Sequence, residues 1–131
     1  MGAPLIRIVR LGSPRAADEG LRIGTVRRPP RGVPKEALAS QNWYDVWLPE
    51  LAPSAGLVKQ AQEAETAREW NAFVKRYRAE MKTPEARRLL DLLAALSHQT
   101  NLSVGCYCEH ASRCHRSVLR SLLEEHGARL G

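Results

Sequence analysis

Cys106-Tyr107-Cys108-Glu109-His110-Ala111-Ser112-Arg113-Cys114-His115-Arg116 gathers all three cysteines of the chain, two of its four histidines and two arginines into one stretch. Thiolates act as nucleophiles and soft metal ligands, imidazoles as bases or ligands, and guanidinium groups as anion binders. Three chemistries fit these types at this spacing. A phosphate-bearing ligand, nucleotide or nucleic acid, would be held by Arg113, His115 and Arg116 at a helix start, where unpaired backbone N–H groups attract anions. Arg31, in a second basic loop, would join that set. Thiol chemistry, either sulfur transfer or redox, would use Cys108 as nucleophile in a Cys-x4-Arg loop, with Cys114 as resolving thiol. A metal centre would take Cys106, Cys108, Cys114 and His115 (or His110) as three thiolates and an imidazole, a set suited to tetrahedral zinc or to iron.

Each reading meets an objection in the same residues. Glu109 opposes both anion binding and thiolate formation. The paired Cys-x-x-Cys knuckles of many zinc sites are absent, and Cys114 and His115 would diverge on a helix. In the bland alternative the cysteines are small buried hydrophobes, with His115 and Arg116 capping or salt-linking the core. The leading functional expectation is a phosphate-bearing ligand bound at the crossing 106–116.

The flanking residues define the elements that must position this stretch. Residues 101–105 read as a buried strand, and residues 117–126 as a helix that Gly127 stops. The reactive groups therefore sit on a strand-loop-helix crossing. Upstream, residues 5–9 and 21–26 are β-rich and read as strands. Between them and the rest, Arg27-Arg28-Pro29-Pro30-Arg31-Gly32-Val33-Pro34 carries three prolines and predicts a rigid basic loop. Residues 43–48 supply an aromatic centre, in which Trp43 and Trp47 are expected in the core with one of them lining the crevice. Asp45 and Glu50 are candidate acids or bases, with capping or solvated roles favoured. A helix is expected over residues 56–81, capped by Ser54, with Trp70, Phe73, Tyr77 and Met81 as its apolar stripe. Thr83-Pro84-Glu85 opens another helix, whose buried face is Leu89, Leu90, Leu92, Leu93 and Leu96. His98 and His126 fall near helix C-termini, where a protonated imidazole favours the dipole.

The totals set the class. The chain of 131 residues, 44% hydrophobic and 26% charged, suits a single domain over 1–131 with its own core. No apolar run is long enough to span a membrane. The first residues lack an apolar signal core, and Ile6 breaks the myristoylation pattern, so the expected location is cytoplasmic. Three clustered cysteines in a reducing compartment favour thiols, a metal or redox chemistry over a disulfide framework. The net charge is +6, and residues 1–40 hold eight Arg or Lys against three acids. That bias suits a phosphate partner, or simply a soluble basic surface.

Several blocks together resemble the YeaO-like group, domain-of-unknown-function family 488. They are Pro30-Arg31-Gly32-Val33, Lys35-Glu36, Trp47-Leu48-Pro49-Glu50-Leu51-Ala52-Pro53-Ser54, Trp70-Asn71-Ala72-Phe73, Arg76-Tyr77-Arg78-Ala79-Glu80-Met81, and the run from Leu102 to Cys108. The cysteine stretch is similar to the branch with a Cys-x-Cys-Glu…Cys-His-Arg ending, onto which Cys106, Cys108, Glu109, Cys114, His115 and Arg116 map. The resemblance implies a three-layer, Rossmann-like α/β fold with a mostly parallel sheet, and it implies no agreed activity. Where family members often carry Asp-Arg-Leu-Trp-Pro-Arg-Gly, this chain has Val26-Arg27-Arg28-Pro29-Pro30-Arg31-Gly32 and so lacks that acid and tryptophan.

Overall fold

The β-rich runs become four strands: β1 (Ile6–Arg10), β2 (Leu21–Gly24), β3 (Val46–Trp47) and β4 (Leu102–Cys106). The computed structural model describes residues 3–107 and 114–131. Cys108, Glu109, His110 and Arg113 therefore lie outside the described residues, and with them the Cys108 nucleophile. The strands form one all-parallel sheet in the order β1-β4-β2-β3. Parallel neighbours need long crossovers. Helices α1 (Ala55–Glu63), α2 (Ala67–Glu80) and α3 (Pro84–Leu96) span β3 to β4, and α4 (His115–Glu125) follows β4. This is the α/β layering that the alternation of elements predicts, and it is consistent with the Rossmann-like domain that the resemblance implies.

The two faces of the sheet have opposite chemistry. On one face Ile6, Leu102, Val104 and Ile23 pack against Phe73 and Tyr77 of α2, Leu90 of α3, and Leu119 and Leu123 of α4. Burying each such side chain contributes roughly 1.5–3 kcal/mol, which makes this face the main source of stability. On the other face, the register sets Arg7, Ser103 and Arg22 side by side across β1, β4 and β2. Loop residues cover that polar row. Arg22 is 0% exposed and holds the Glu19 carboxylate through Nε at 2.7 Å and Nη2 at 2.9 Å. Ser103 Oγ donates to the same carboxylate at 3.0 Å, and Arg7 pairs with Asp18 at 2.8 Å.

Some expectations are corrected. The helix expected over 56–81 is two helices, because the chain leaves helical geometry at Ala64 and restarts at Thr66. The Thr66 hydroxyl accepts the Glu69 N–H at 3.1 Å and donates to Glu69 Oε1 at 3.0 Å, a local cap that begins α2 afresh. Ser54 stands at the N-cap of α1 but makes no side-chain cap; its backbone N–H donates to Glu80 Oε1 instead. Trp47 is not in the core. It lies on the edge strand β3, 42% exposed, with its indole N–H donated to the Val26 carbonyl. Leu92 likewise faces outward at 54% exposure, while Leu90 and Leu93 are buried. Asp45 is structural, since both carboxylate oxygens bind Arg15 and one also accepts the Arg22 backbone N–H.

The stripe Phe73, Tyr77 and Met81 is buried as predicted. Thr83 caps α3 with Pro84 at its first position, and Gly127, at φ +93°, terminates α4.

Candidate functional site

The C-terminal end of β4 is pinned on both sides. Leu11 N–H donates to the Cys106 carbonyl at 2.8 Å, and Thr25 donates both its N–H and its hydroxyl to the Gly105 carbonyl. Gly105 is required by close approach: a Cβ there would sit 2.4 Å from the Val9 carbonyl oxygen. The missing side chain lets β1 press against β4 one residue before Cys106, so the Cys106 backbone is fixed rather than loose.

Cys114 caps α4 from outside the helix, in an extended conformation with φ −130° and ψ 152°. Its carbonyl accepts the N–H and hydroxyl of Ser117. The expectation that Cys114 and His115 diverge assumed both to be helical. With Cys114 extended and His115 in the first helical position, the two side chains converge, and His115 Nδ1 lies 3.9 Å from Cys114 Sγ. Cys106 meets Cys114 sulfur to sulfur, although their Cα atoms stand 7.9 Å apart. Disulfides ordinarily span roughly 4.4–6.8 Å between Cα atoms.

The other side of the His115 ring fixes its tautomer. Nε2 lies 2.7 Å from the Thr25 carbonyl oxygen. A carbonyl can only accept, so Nε2 carries the proton and Nδ1 presents a lone pair towards the cysteines. Desolvation lowers the His115 pKa to about 4; the Thr25 bond opposes that shift and the Arg116 charge adds to it. The imidazole is therefore neutral near pH 7. Tyr77 meets it edge-on at 5.7 Å and ties it to the core.

Above this floor opens a cavity of about 1180 Å³ at the carboxyl ends of β1, β2 and β4. Its walls include Leu11, Val26, Trp43, Phe73 and Tyr107, and its rim includes Arg10, Arg27, Arg28 and Arg31. Trp43 and Tyr107 meet edge to face at 5.9 Å. The Tyr107 hydroxyl donates to the Arg28 carbonyl at 2.9 Å, which ties the basic loop to the end of β4. Burial pushes the Tyr107 phenol above its ordinary pKa, so it stays a neutral donor. Arg27 is occupied in holding the Ala52 and Pro53 carbonyls. Arg28 and Arg31 are exposed, and among the described residues neither guanidinium has a hydrogen-bond or ion-pair partner.

The structure thus brings Cys106, Cys114, His115 and Arg31 to one cavity. Arg116 is buried one residue further along α4 and is not part of the cavity wall. Arg113 and Cys108 fall outside the described residues. The sequence reading did not single out Thr25, Arg28 and Tyr107. Arg28 and Tyr107 lay inside stretches already marked, whereas Thr25 acts through its backbone carbonyl, which leaves no trace in residue type.

Fold and cavity define a small all-parallel α/β protein with its candidate site outside the carboxyl ends of the strands, where open α/β sheets bind ligands. Within that class, residues 6–127 match the family described as the Active DUF488-N3 subclade, and the chain belongs to it. No curated protein and no solved structure matches the chain. Among the described residues, no helix is long and apolar enough to cross a membrane.

Proposed function

We propose that this chain is a cytoplasmic protein that binds a phosphate-bearing ligand, a nucleotide unit free or within nucleic acid, in the cavity at the ends of β1, β2 and β4. One observation carries the reading: two exposed guanidinium groups without partners among the described residues, Arg28 and Arg31, rim a cavity walled by Trp43 and Tyr107. An aromatic wall takes the face of a base, and forked guanidinium donors take phosphate oxygens. The volume of about 1180 Å³ exceeds that of many small-molecule pockets and accommodates a nucleotide with its phosphates. His115 borders the same space, Arg116 lies off its wall, and Arg113, outside the described residues, remains a proposed contributor.

Equilibrium binding of labelled mononucleotides and short single strands tests this. The wild type should bind one of them with marked salt dependence. The Arg28→Ala/Arg31→Ala double variant should bind at least about tenfold more weakly, the cost of losing charge-assisted phosphate bonds. Preference for strands over mononucleotides would identify the nucleic-acid form. Unchanged binding by the double variant would end the proposal.

The word "Active" in the family's description favours a second reading, in which the bound ligand is chemically changed and not only held. Cys108 is the proposed nucleophile. Alkylation of Cys108 at neutral pH no faster than that of a simple thiol would remove it.

A further inference from the structure

Beneath the ligand cavity, Cys106, Cys114 and His115 offer two sulfurs and one ring nitrogen that all lie within 4.8 Å of one another. We infer that these three residues form a zinc-class metal site, with a fourth coordination position open to the cavity. Three features support it independently of the phosphate reading.

The donors are of the right chemical type. Two thiolates and an imidazole match zinc's borderline-soft preference, and three protein ligands with one vacancy is the pattern of zinc sites that do chemistry. The sulfur–nitrogen spacing agrees as well. Ideal zinc–sulfur and zinc–nitrogen bonds in a tetrahedron place S and N about 3.6 Å apart, and His115 Nδ1 lies 3.9 Å from Cys114 Sγ. The Cα separation of 7.9 Å between Cys106 and Cys114 is wider than a direct cross-link accommodates without backbone movement. The two sulfurs meet directly in this structure, and an ion seated between them as they part would bridge that width. Finally, the histidine is prepared as a ligand. Its Nε2 proton is committed to the Thr25 carbonyl, the outer-shell bond that orients metal-bound imidazoles and leaves Nδ1 to coordinate.

Binding would displace the two thiol protons to solvent and leave the neutral imidazole unchanged in charge. Cys108 is not part of the proposed set. The site would place a Lewis acid at the floor of the cavity, facing any bound ligand. Its existence does not depend on the phosphate proposal.

The test uses full-length protein, purified without a metal-affinity step and kept reduced. Elemental analysis should find close to one zinc per chain. Cobalt added to the chelator-stripped protein should give tetrahedral d–d bands with a thiolate charge-transfer band. Cys106→Ser and His115→Ala should each weaken cobalt binding by at least tenfold, while Cys108→Ser should keep both stoichiometry and spectrum. Should the single variants fail to fold, chelator competition on the stripped wild type still decides whether a stoichiometric site exists. Reduced wild-type protein that takes up no cobalt would overturn the inference. So would a spectrum lost in Cys108→Ser, or a metal-free Cys106–Cys114 disulfide as the sole stable state. Loss of nucleotide binding with metal binding intact would overturn only the proposed function.

Discussion

Two clusters of buried polar groups meet the sheet, and they are built on opposite plans. The cluster of Arg22, Glu19 and Ser103 is closed. Arg22 donates to both Glu19 oxygens and to the carbonyls of Ser13 and Asn42, and Ser103 completes the carboxylate. The cluster of Cys106, Cys114 and His115 turns its donor atoms towards one another and towards a cavity. Its surroundings carry unmet polar groups too: Trp43 Nε1 and the Tyr44 hydroxyl are buried without partners among the described residues, and both pack in the same group as the two cysteines. A closed network serves architecture, since a buried charge is tolerated only when every bond is made. An open one has capacity left for a ligand. The difference separates what holds this protein together from what it can act with.

The sharpest way to break that comparison is to open the closed cluster. Glu19→Ala leaves the 0% exposed Arg22 charge without its carboxylate, and removal of one partner of a buried pair costs about 3–5 kcal/mol. Total stabilities run at about 5–15 kcal/mol, so urea unfolding should show the midpoint drop severely. If Glu19→Ala unfolds with a midpoint near that of the wild type, the Arg22 network is not structural. Acid should act on the same cluster. Burial raises the Glu19 pKa, but the Arg22 and Ser103 hydrogen bonds and the Arg22 charge outweigh it, so the net shift is downward. A carboxylate with a depressed folded pKa stabilises fully above its unfolded value of 4.5 and loses that contribution as pH falls through the lower folded value. Melting temperature should therefore fall on acidification below about pH 4.5, and Glu19→Gln should lack that part of the acid limb.

Disturbing the open cluster should cost less. His115→Ala gives up the Thr25 bond and the Tyr77 edge contact, and an orphaned buried carbonyl costs about 1–3 kcal/mol. At a zinc concentration a hundredfold above its dissociation constant the wild type should gain about 2.7 kcal/mol, and this variant, binding at least tenfold more weakly, no more than about 1.4 kcal/mol. Equal thermal shifts in both proteins would erase the distinction between the clusters.

How visible these clusters are in the sequence follows from the range of the forces that build them. Local signals were sufficient for β4, for α4 with Gly127, and for Thr83 opening α3, because a short buried run, a capping hydroxyl or a φ-permissive glycine acts within a few residues. Thr66 and Glu69 form a readable cap inside the helix expected over 56–81, just ahead of the apolar stripe that starts at Trp70, and one long helix drawn through them passes over the restart. Trp47 and Leu92 were misplaced because residue type predicts burial only on average, while edge position and helix phase decide it. The Arg22–Glu19 pair was not legible, since nothing local says that Ser103, 84 residues away from Glu19, will share the carboxylate. The cysteine stretch is legible as a candidate site but not as a geometry. Convergence of Cys114 with His115 depends on the extended backbone of one residue, and the proton on His115 depends on the Thr25 carbonyl.

The smallest effect on stability should come from the rim, and its smallness is informative. Arg28 and Arg31 are exposed on the irregular loop after β2 and have no ion-pair partners among the described residues. Surface substitutions away from caps and networks usually change stability by no more than about 0.5 kcal/mol. The Arg28→Ala/Arg31→Ala variant should therefore unfold within about that margin of wild type in urea. Its effect should appear instead as lost ligand affinity and a shallower dependence on salt, since each removed phosphate contact releases fewer counterions. The Tyr107 hydroxyl bonds the Arg28 carbonyl rather than its side chain, so truncating the side chain leaves the loop tied to β4. A drop in stability comparable to that of His115→Ala would show the rim arginines to be structural. Closed network, open floor and rim would then no longer form an ordered series in which stability cost falls as access to ligand rises.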